Sequence, residues 1–488
     1  MAVENSGGRR GKGFARPPDG GSPPHSDWEA VIGMEVHAQL ATRSKMFCPC
    51  STDYLGTEPN TNVCPVCLGM PGVLPVVNGR AVEQVVKTAL ALDCEVAQKT
   101  KFDRKNYFYP DLPKGYQISQ YDLPMARNGR LEVDGHTIRI TRVHLEEDTG
   151  KLVHGGDALQ TASESLVDLN RSGMPLMEIV SEPDIRSADE ARDYAMALRA
   201  ILRAIGASEA DMEKGQLRAE ANVSVRPRGS PELGVKTEVK NLNSFRALQR
   251  AVDHEVRRQV AALESGGTVV QETRGWSEAD QATFSQRSKE YAQDYRYFPE
   301  PDLPPLELDP GWVEGLRASL PELPAARRKR FSDQYGLPEF DADQLTQDLA
   351  NADLFEATVG AGAPAKQAAN WIIGEQPTLS AGELAELIGL VLTGAINRDQ
   401  GRQVLGEAQA TGRSPGEIVR ASGLAQVSDE SALEAVIEKV LAENPQAVAD
   451  FKGGKQQALG ALQGKVKAAT GGTANMAVVR QMLLDRLG

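Results

Sequence analysis

The sequence lacks the long apolar run that a membrane-spanning helix needs. No stretch approaches about 18 consecutive apolar residues, although 41% of the 488 residues are hydrophobic. Residues 1–27 contain Gly, Pro and Ser but no apolar block of the kind found in signal peptides. We expect these residues to form a disordered tail. Together the two absences exclude a transmembrane role and favour a cytoplasmic protein with no membrane partner.

Cysteine is scarce, and an odd count of five argues against a disulfide framework. Four cysteines form two close pairs, Cys48 with Cys50 and Cys64 with Cys67. Four thiolates at this spacing predict a closed tetrahedral zinc site that serves folding and not catalysis. Unligated buried thiols are the alternative, disfavoured because the neighbouring residues are typical of loops. Cys94 stands alone and is interpreted as a core residue.

Several catalytic motifs are also missing. The sequence has no G-x-x-x-x-G-K-[ST] loop after a strand and no dinucleotide fingerprint, so any ATP is not held by a P-loop. A nucleophile elbow is absent, and no motif marks Cys94 as a nucleophile with a partnering His. A glutaminase reaction needs such a nucleophile. Any ammonia therefore has to come from another protein.

The excess of negative charge argues against a nucleic-acid partner, because phosphate contacts need Lys and Arg. The net charge is −13, but the last segment, from Phe451 onward, opposes Asp485 with a set of basic residues. These are Lys452, Lys455, Lys465, Lys467, Arg480 and Arg486. Taken alone, this segment is more simply a solvated helical face than an RNA-binding surface.

The length predicts two to four domains. Residues 28–305 mix strand and helix patterns, which predicts an α+β domain with a mainly antiparallel sheet. A proline-dense stretch, residues 299–324, marks a boundary. Ala-rich helical patterns follow, and they predict an all-helical domain over residues 306–410 and a smaller helical tail domain over residues 411–488.

Period-two alternation predicts the first strand over residues 29–40. Asp134-Gly135 indicates a hairpin, and further extended stretches cover residues 176–180 and 235–239. Three helices are predicted to begin after Asn78, Ser187 and Ser244, the second with a capping box to Glu190. Three helices are too few to cover both faces of a sheet with this many strands. We therefore predict a sheet that is covered on one face, while its other face is concave and polar.

Carboxylates recur on these strands. Glu35, His37, Glu146, Glu178 and Glu238 lie on four extended segments among apolar neighbours. Carboxylates in such positions are unfavourable unless they are paired or bound to a cation. Oxygen ligands with one imidazole suit Mg²⁺. Solvated outer faces of half-buried strands explain each residue singly but explain all five less well.

An aromatic stretch, residues 105–120, interleaves rings, cations and prolines. Such a stretch can stack a base or a sugar. A rigid loop packed on the sheet is the simpler interpretation.

Six segments, in this order, resemble signatures of the B-subunit family of the aspartyl/glutamyl-tRNA(Asn/Gln) amidotransferases. They are Ile32 to His37, Lys105 to Gln120, His144 to Lys151, Asp168 to Arg171, Glu178 to Asp184 and Lys240 to Phe245. The similarity covers essentially Trp28 to Gly488. Six long matches in order are far more specific than any single motif.

The resemblance implies a cradle-shaped catalytic domain followed by helical domains. It also implies a reaction, in which ATP phosphorylates the side-chain carboxylate of Glu-tRNA(Gln) or Asp-tRNA(Asn) and ammonia then displaces the phosphate. In that family an amidase (A) subunit releases the ammonia from glutamine and a small C subunit clamps the pair. The cognate non-discriminating aminoacyl-tRNA synthetase is a further expected partner, and the basic tail would grip the tRNA.

By position, the resemblance implies that His37, Glu146 and Glu178 form a catalytic Mg²⁺ site. It places Glu35 and Glu238 near the nucleotide and its metal. Two further candidates for phosphate contacts, Lys240 and Arg218, are chosen from residue type and neighbourhood. Because family members vary in keeping the four cysteines, the structural Zn²⁺ prediction depends on the spacing in this chain.

Two other functions compete with this interpretation. The first is a non-catalytic tRNA-binding scaffold, which would have no use for five acidic or imidazole ligands facing one cavity. The second is a stand-alone metal-dependent hydrolase, which would need no long basic helical tail.

Overall fold

The computed structural model describes residues 27–154, 164–288, 295–422, 430–470, 474 and 476–487. The predicted disordered tail therefore lies outside the described residues, apart from Asp27. The chain divides into two compact units, Met1–Pro321 and Glu322–Gly488. The predicted domain limits at residues 305/306 and 410/411 remain predictions.

The first unit is an α+β structure, as the sequence predicted. Its strands are β1 (Trp28–Gln39), β2 (Glu95–Val96), β3 (Lys99–Thr100), β4 (Asp103–Asn106), β5 (Tyr116–Ser119), β6 (Ala126–Val133), β7 (His136–Glu147), β8 (Lys151–His154), β9 (Ser165–Asp168), β10 (Pro175–Ser181), β11 (Leu217–Pro227), β12 (Thr237–Lys240), β13 (Glu272–Ser277), β14 (Ala282–Ser288), β15 (Phe298–Pro299) and β16 (Leu306–Glu307). Its helices are α1 (Gly79–Ala91), α2 (Ala188–Ala204), α3 (Phe245–Glu264) and α4 (Pro310–Ala318).

Nine strands form the main sheet, in the order β14-β13-β12-β11-β1-β10-β7-β6-β2. All neighbouring strands are antiparallel except β12 and β13. Smaller sheets pair β15 with β4 and β5, β16 with β3, and β8 with β9. Strand β1 is central, and its alternation buries Ile32, Met34 and Val36 on one face. Helix α3 packs against β11, α2 against β6 and β1, and α1 against β6 and β7.

The predicted helix starts are confirmed. Asn78 caps α1 and Ser244 caps α3, each accepting hydrogen bonds from backbone N–H groups of the first turn. Ser187 caps α2 by accepting from the Glu190 backbone N–H. The predicted capping box is only half formed, because the Glu190 carboxylate accepts from the backbone N–H of Arg186 instead. This bond still satisfies a free donor just before the helix.

The aromatic stretch forms a loop only in its middle, residues 107–115. Its two ends form strands β4 and β5, paired from Asp103 opposite Ser119 to Asn106 opposite Tyr116. Pro110 and Pro113 lie in the connection, where proline costs no ladder hydrogen bond. Strand β5 lies against β7, so this small sheet stands over part of the main one.

The described part of the second unit is built of helices. They are α5 (Pro324–Tyr335), α6 (Glu339–Thr346), α7 (Leu349–Gly360), α8 (Ala365–Glu375), α9 (Ala381–Leu392), α10 (Arg398–Thr411), α11 (Pro415–Ser422), α12 (Glu430–Glu443), α13 (Pro445–Lys452), α14 (Gln457–Ala469) and α15 (Met476–Leu487). One apolar cluster surrounds Phe331, Phe355 and Trp371, and a separate one surrounds Leu462 and Leu483. No helix in the described ranges combines the length and apolar character needed to cross a membrane.

Candidate active site and zinc loop

Strand register brings the predicted site residues together at the centre of the sheet. His37 of β1 lies opposite Glu178 of β10 on one side and Arg218 of β11 on the other. Glu178 in turn lies opposite His144 of β7. Directly opposed residues of antiparallel strands point to the same face. A polar row therefore crosses four neighbouring strands on one face of the sheet.

The imidazole of His37 lies close to three carboxylates. Its Nε2 atom lies 3.2 Å from Glu178 Oε2, 3.8 Å from Glu146 Oε1 and 3.8 Å from Glu35 Oε1. The donor atoms of Glu35, His37 and Glu178 all lie within 4.8 Å of one another, which is close enough to share one cation. Glu146 and Glu178 are buried, with 2% and 4% of their surface exposed.

A second imidazole, His144, completes the cluster and was not among the predicted site residues. Its Nε2 atom lies 3.5 Å from both Glu146 and Glu178, and these three residues form a second set of potential metal ligands. Arg142, two residues earlier on β7, contacts Glu178 at 3.1 Å. The sequence could have identified His144, because every second residue of a strand points to the same face. This spacing joins Arg142, His144 and Glu146.

Charge crowding perturbs the pKa values in this cluster. The charge of Glu178, and then burial, raises the pKa of Glu35 to about 7. Burial opposes protonation of His37, yet the hydrogen bond and charge of Glu178 raise its pKa to about 9. Burial also opposes ionisation of Glu178, but the nearby imidazoles hold its pKa well below the ordinary value. Such opposed pKa shifts within one cluster of side chains are typical of functional sites.

Lys105 of β4 is a half-buried cation that interacts with Glu146 and Glu178, and the sequence prediction missed its role. Despite burial, the charge of Glu146 raises its pKa well above the ordinary value. Its ammonium lies 5.0 Å from the centre of the Tyr295 ring, in cation–π range. On β5, the neighbouring strand, Ser119 donates a hydrogen bond of 2.9 Å to Glu146. The small sheet thus supplies both a cation and a hydroxyl to the site.

The structure places Glu238 and Lys240 on the same face, two strands from β1. Lys240 Nζ lies 2.8 Å from Glu220 and 3.6 Å from Glu238. Glu220 lies directly opposite Glu35, so it links this pair to the His37 row. Glu220 was also missed, although it follows Arg218 by two positions and therefore shares its face.

Arg218 is engaged away from the carboxylate cluster. Its guanidinium is hydrogen-bonded to the buried carboxylate of Asp148, which also accepts from Gln39 at 2.9 Å. Arg171 lies 3.6 Å from the same carboxylate. Although burial opposes ionisation, the charges of the two arginines keep the pKa of Asp148 below its ordinary value. Arg218 therefore borders the cluster as the partly exposed member of an ion pair with the buried Asp148.

The four paired cysteines meet in one cluster. The sulfur atoms of Cys48, Cys50, Cys64 and Cys67 all lie within 4.8 Å of one another. The hydrogen bond with Cys48 is the largest cause that lowers the pKa of Cys67, to about 5. Four sulfurs at this spacing fit tetrahedral Zn²⁺. Cys94 is buried elsewhere, as predicted, and burial raises the pKa of its thiol to about 12.

Within the described part of the chain, two of the six basic residues of the C-terminal segment form ion pairs with acidic residues of α12 and α13. Arg486 pairs with Glu434 and Glu438, and Lys455 pairs with Asp450. Lys465 and Lys467, on α14, take part in none of the ion pairs formed within the described ranges. Two cations on one helix are thus available to a partner.

The fold and the site define an α+β protein whose sheet carries a candidate cation site, followed by helices. Residues 30–314 match the GatB/GatE catalytic domain, and residues 353–487 match the GatB domain. The chain is 54% identical over 482 residues to the B subunit of the aspartyl/glutamyl-tRNA(Asn/Gln) amidotransferase of Moorella thermoacetica, covering 94% of this chain and all of that relative. The corresponding B subunit of Carboxydothermus hydrogenoformans is 52% identical over 478 residues, covering 94% and 99%.

The chain therefore belongs to the B-subunit family of the aspartyl/glutamyl-tRNA(Asn/Gln) amidotransferases. The resemblance drawn from the six sequence segments is confirmed.

Proposed function

We propose that this chain performs ATP-dependent amidation of Glu-tRNA(Gln), Asp-tRNA(Asn) or both, as the kinase and transfer subunit of a carbon–nitrogen ligase. The name that its relatives carry supports the class of reaction. The observation that carries the proposal is the buried cluster of His37, Glu146 and Glu178 at the centre of the sheet.

The chemistry needs two steps. An oxygen of the tRNA-borne carboxylate attacks the γ-phosphorus of ATP, and ADP leaves. Ammonia then attacks the acyl carbon, and phosphate leaves with the former carboxylate oxygen. A carboxylate is already ionised at neutral pH, so no general base is required in the first step. The protein has to position two anions and offset their repulsion.

The cluster suits this task. His37, Glu146 and Glu178 would hold Mg²⁺, whose charge offsets the repulsion between the attacking carboxylate and the γ-phosphate. Oxygen donors with one imidazole fit this ion. The raised pKa of Glu35, about 7, supports the fit, because such crowding of carboxylates is relieved by a cation. Lys105 adds a second positive charge close to Glu146 and Glu178.

The nucleotide end of the site is assigned to Glu35, Glu238, Lys240 and Arg218. Lys240 lies between Glu220 and Glu238, so a phosphate that contacts its ammonium has to compete with both carboxylates. Arg218 holds Asp148 and offers only part of its guanidinium to a ligand. Both residues therefore offset the negative charge of neighbouring carboxylates even where they make no direct phosphate contact.

Partners follow from the same proposal. An amidase (A) subunit would supply ammonia, a small C subunit would clamp the pair, and the non-discriminating synthetase would deliver misacylated tRNA. Lys465 and Lys467 would contact the tRNA backbone. The complex would work in the cytoplasm. Zn²⁺ would be held by the four cysteines of residues 48–67, the cysteine loop.

The test is to purify the chain with its amidase partner and to supply misacylated Glu-tRNA(Gln), ATP, Mg²⁺ and ammonium chloride. Ammonium bypasses the glutaminase step. We expect ATP-dependent Gln-tRNA formation that Glu146→Ala abolishes, while glutamine hydrolysis by the partner persists. Glu132→Ala is the matched control, since Glu132 is an exposed carboxylate on β6. Full product formation by Glu146→Ala would instead identify the chain as a tRNA-binding scaffold.

A further inference from the structure

Lys45 is a lysine whose burial the proposed reaction does not explain. Its surface is 1% exposed, which places it among the largest fully buried side chains of the molecule. It lies just before the cysteine loop, where its backbone N–H donates to the carbonyl of Cys50. A buried ammonium is strongly unfavourable unless an anion compensates it.

The contacts of this ammonium point to the cysteine cluster. Lys45 Nζ donates to the backbone carbonyl of Asn62 at 2.8 Å and lies 3.8 Å from the sulfur of Cys67. Among the ion pairs of the described residues, none joins Lys45 to a carboxylate within 4.0 Å. Glu147, which lies near the same loop, is paired with Lys114.

The stem of the lysine is held in place by the neighbouring chain. A Cβ atom built on Gly173 would lie 3.3 Å from Cys67 Cβ and 3.7 Å from Lys45 Cδ. Gly173 also has a φ of +80° and accepts a hydrogen bond from the Met46 N–H. The Lys45 stem and the Cys67 side chain therefore lie side by side next to the Gly173 backbone.

We propose that Lys45 is a positioning residue of the zinc site and supplies its counter-charge. Four thiolates around one Zn²⁺ carry two net negative charges, and the buried ammonium offsets one of them. The hydrogen bond from Lys45 fixes the position of the Cys67 sulfur beside the other three sulfur atoms. This inference rests on the proposed zinc site and is independent of the amidation reaction.

The test compares zinc binding in Lys45→Met and Lys45→Arg with that of the wild-type protein, by competition with a chromogenic chelator. Loss of such an outer contact weakens metal binding by about tenfold to a hundredfold. We expect a loss of this size in Lys45→Met and recovery to within a few fold in Lys45→Arg, which keeps the charge. Lys101→Met is the control, because Lys101 pairs with Asp103 and Asp122.

Equal zinc affinity in the wild type and Lys45→Met would overturn the inference while leaving the zinc site itself in place. A loss shared equally by Lys45→Met and Lys45→Arg would overturn it as well, since it would indicate packing alone. A wild-type protein that binds no zinc would overturn both proposals, without bearing on amidation.

A second experiment tests the charge pairing even if Lys45→Met folds poorly. Cys67→Ala removes the anionic partner and leaves the buried Lys45 ammonium uncompensated. Adding Lys45→Met removes that ammonium, so the double variant should regain part of the urea stability that Cys67→Ala loses. A double variant less stable than Cys67→Ala would contradict the charge pairing.

Discussion

Glu35 offers a sharp test, because its ionisation works against folding of the metal-free protein. Its pKa is raised from 4.5 to about 7, chiefly by the charge of Glu178. The folded protein thus binds this proton more tightly than the unfolded chain does. Stability contributed by the protonated form is complete below pH 4.5 and is lost as the pH rises to 7. Removing the charge with Glu35→Gln should therefore stabilise the protein above pH 7.

The size of the effect follows from the shift. A rise from 4.5 to about 7 corresponds to at most about 3 kcal/mol at 1.36 kcal/mol per pKa unit. Because the Glu35 side chain is 26% exposed and coupled to its neighbours, we expect a gain of about 1–2 kcal/mol at pH 8. At pH 4.5 the gain should nearly vanish.

The assay is equilibrium urea unfolding of both proteins at pH 4.5 and pH 8, without added Mg²⁺. No chelator is used, since chelators would also strip zinc. Adding Mg²⁺ at pH 8 should stabilise the wild type more than Glu35→Gln, because a cation held by His37, Glu146 and Glu178 relieves a carboxylate repulsion that only the wild type has. Two results would contradict this prediction: lower stability of Glu35→Gln than of the wild type at pH 8 without Mg²⁺, or equal stabilisation of both proteins by Mg²⁺.

Three further outcomes are expected. Lys105→Met should lower the rate of Gln-tRNA formation by about a hundredfold and move the acid limb of the pH–rate profile upward, as Glu146 loses its cation; an unmoved limb would count against this role. Substituting Lys465 and Lys467 by Glu should raise KM for tRNA and flatten its dependence on salt, whereas an unchanged salt slope would remove α14 from the interface. Cys64→Ser should release zinc, measured by metal analysis, and lower the urea midpoint; a fully stable zinc-free wild type would contradict the assignment.

The sequence predicted those parts of the fold that depend on local pattern. Period two placed β1 almost to the residue, and the capping residues Asn78, Ser187 and Ser244 marked three helix starts. These signals act over a few residues and need no knowledge of tertiary contacts.

Strand pairing could not be predicted in the same way. Period two says that His144 and Glu146 share a face, but not that β7 lies beside β10 and so brings His144 next to Glu178. The role of Lys105 depends on a separate small sheet, formed by a stretch whose prolines suggested a loop. Burial of Lys45 against Cys67 likewise depends on residues far apart in the chain, such as Gly173.

The sequence also could not predict which carboxylates pair with Arg218 and Lys240. Arg218 and Lys240 were predicted as phosphate contacts from residue type and neighbourhood. In the structure each is already hydrogen-bonded or ion-paired with a carboxylate, Asp148 and Glu220 respectively. A charged residue type predicts that some counter-charge will be near, but not whether protein or ligand supplies it.

Phosphoryl transfer to the tRNA-borne carboxylate can be followed with an oxygen label. Glu-tRNA(Gln) with ¹⁸O in the side-chain carboxylate is incubated with the complex, ATP, Mg²⁺ and ammonium chloride. The proposed reaction should place one ¹⁸O atom in each inorganic phosphate released during amidation, and the Glu146→Ala complex should release no such phosphate. Unlabelled phosphate accompanying Gln-tRNA formation would contradict the proposed reaction.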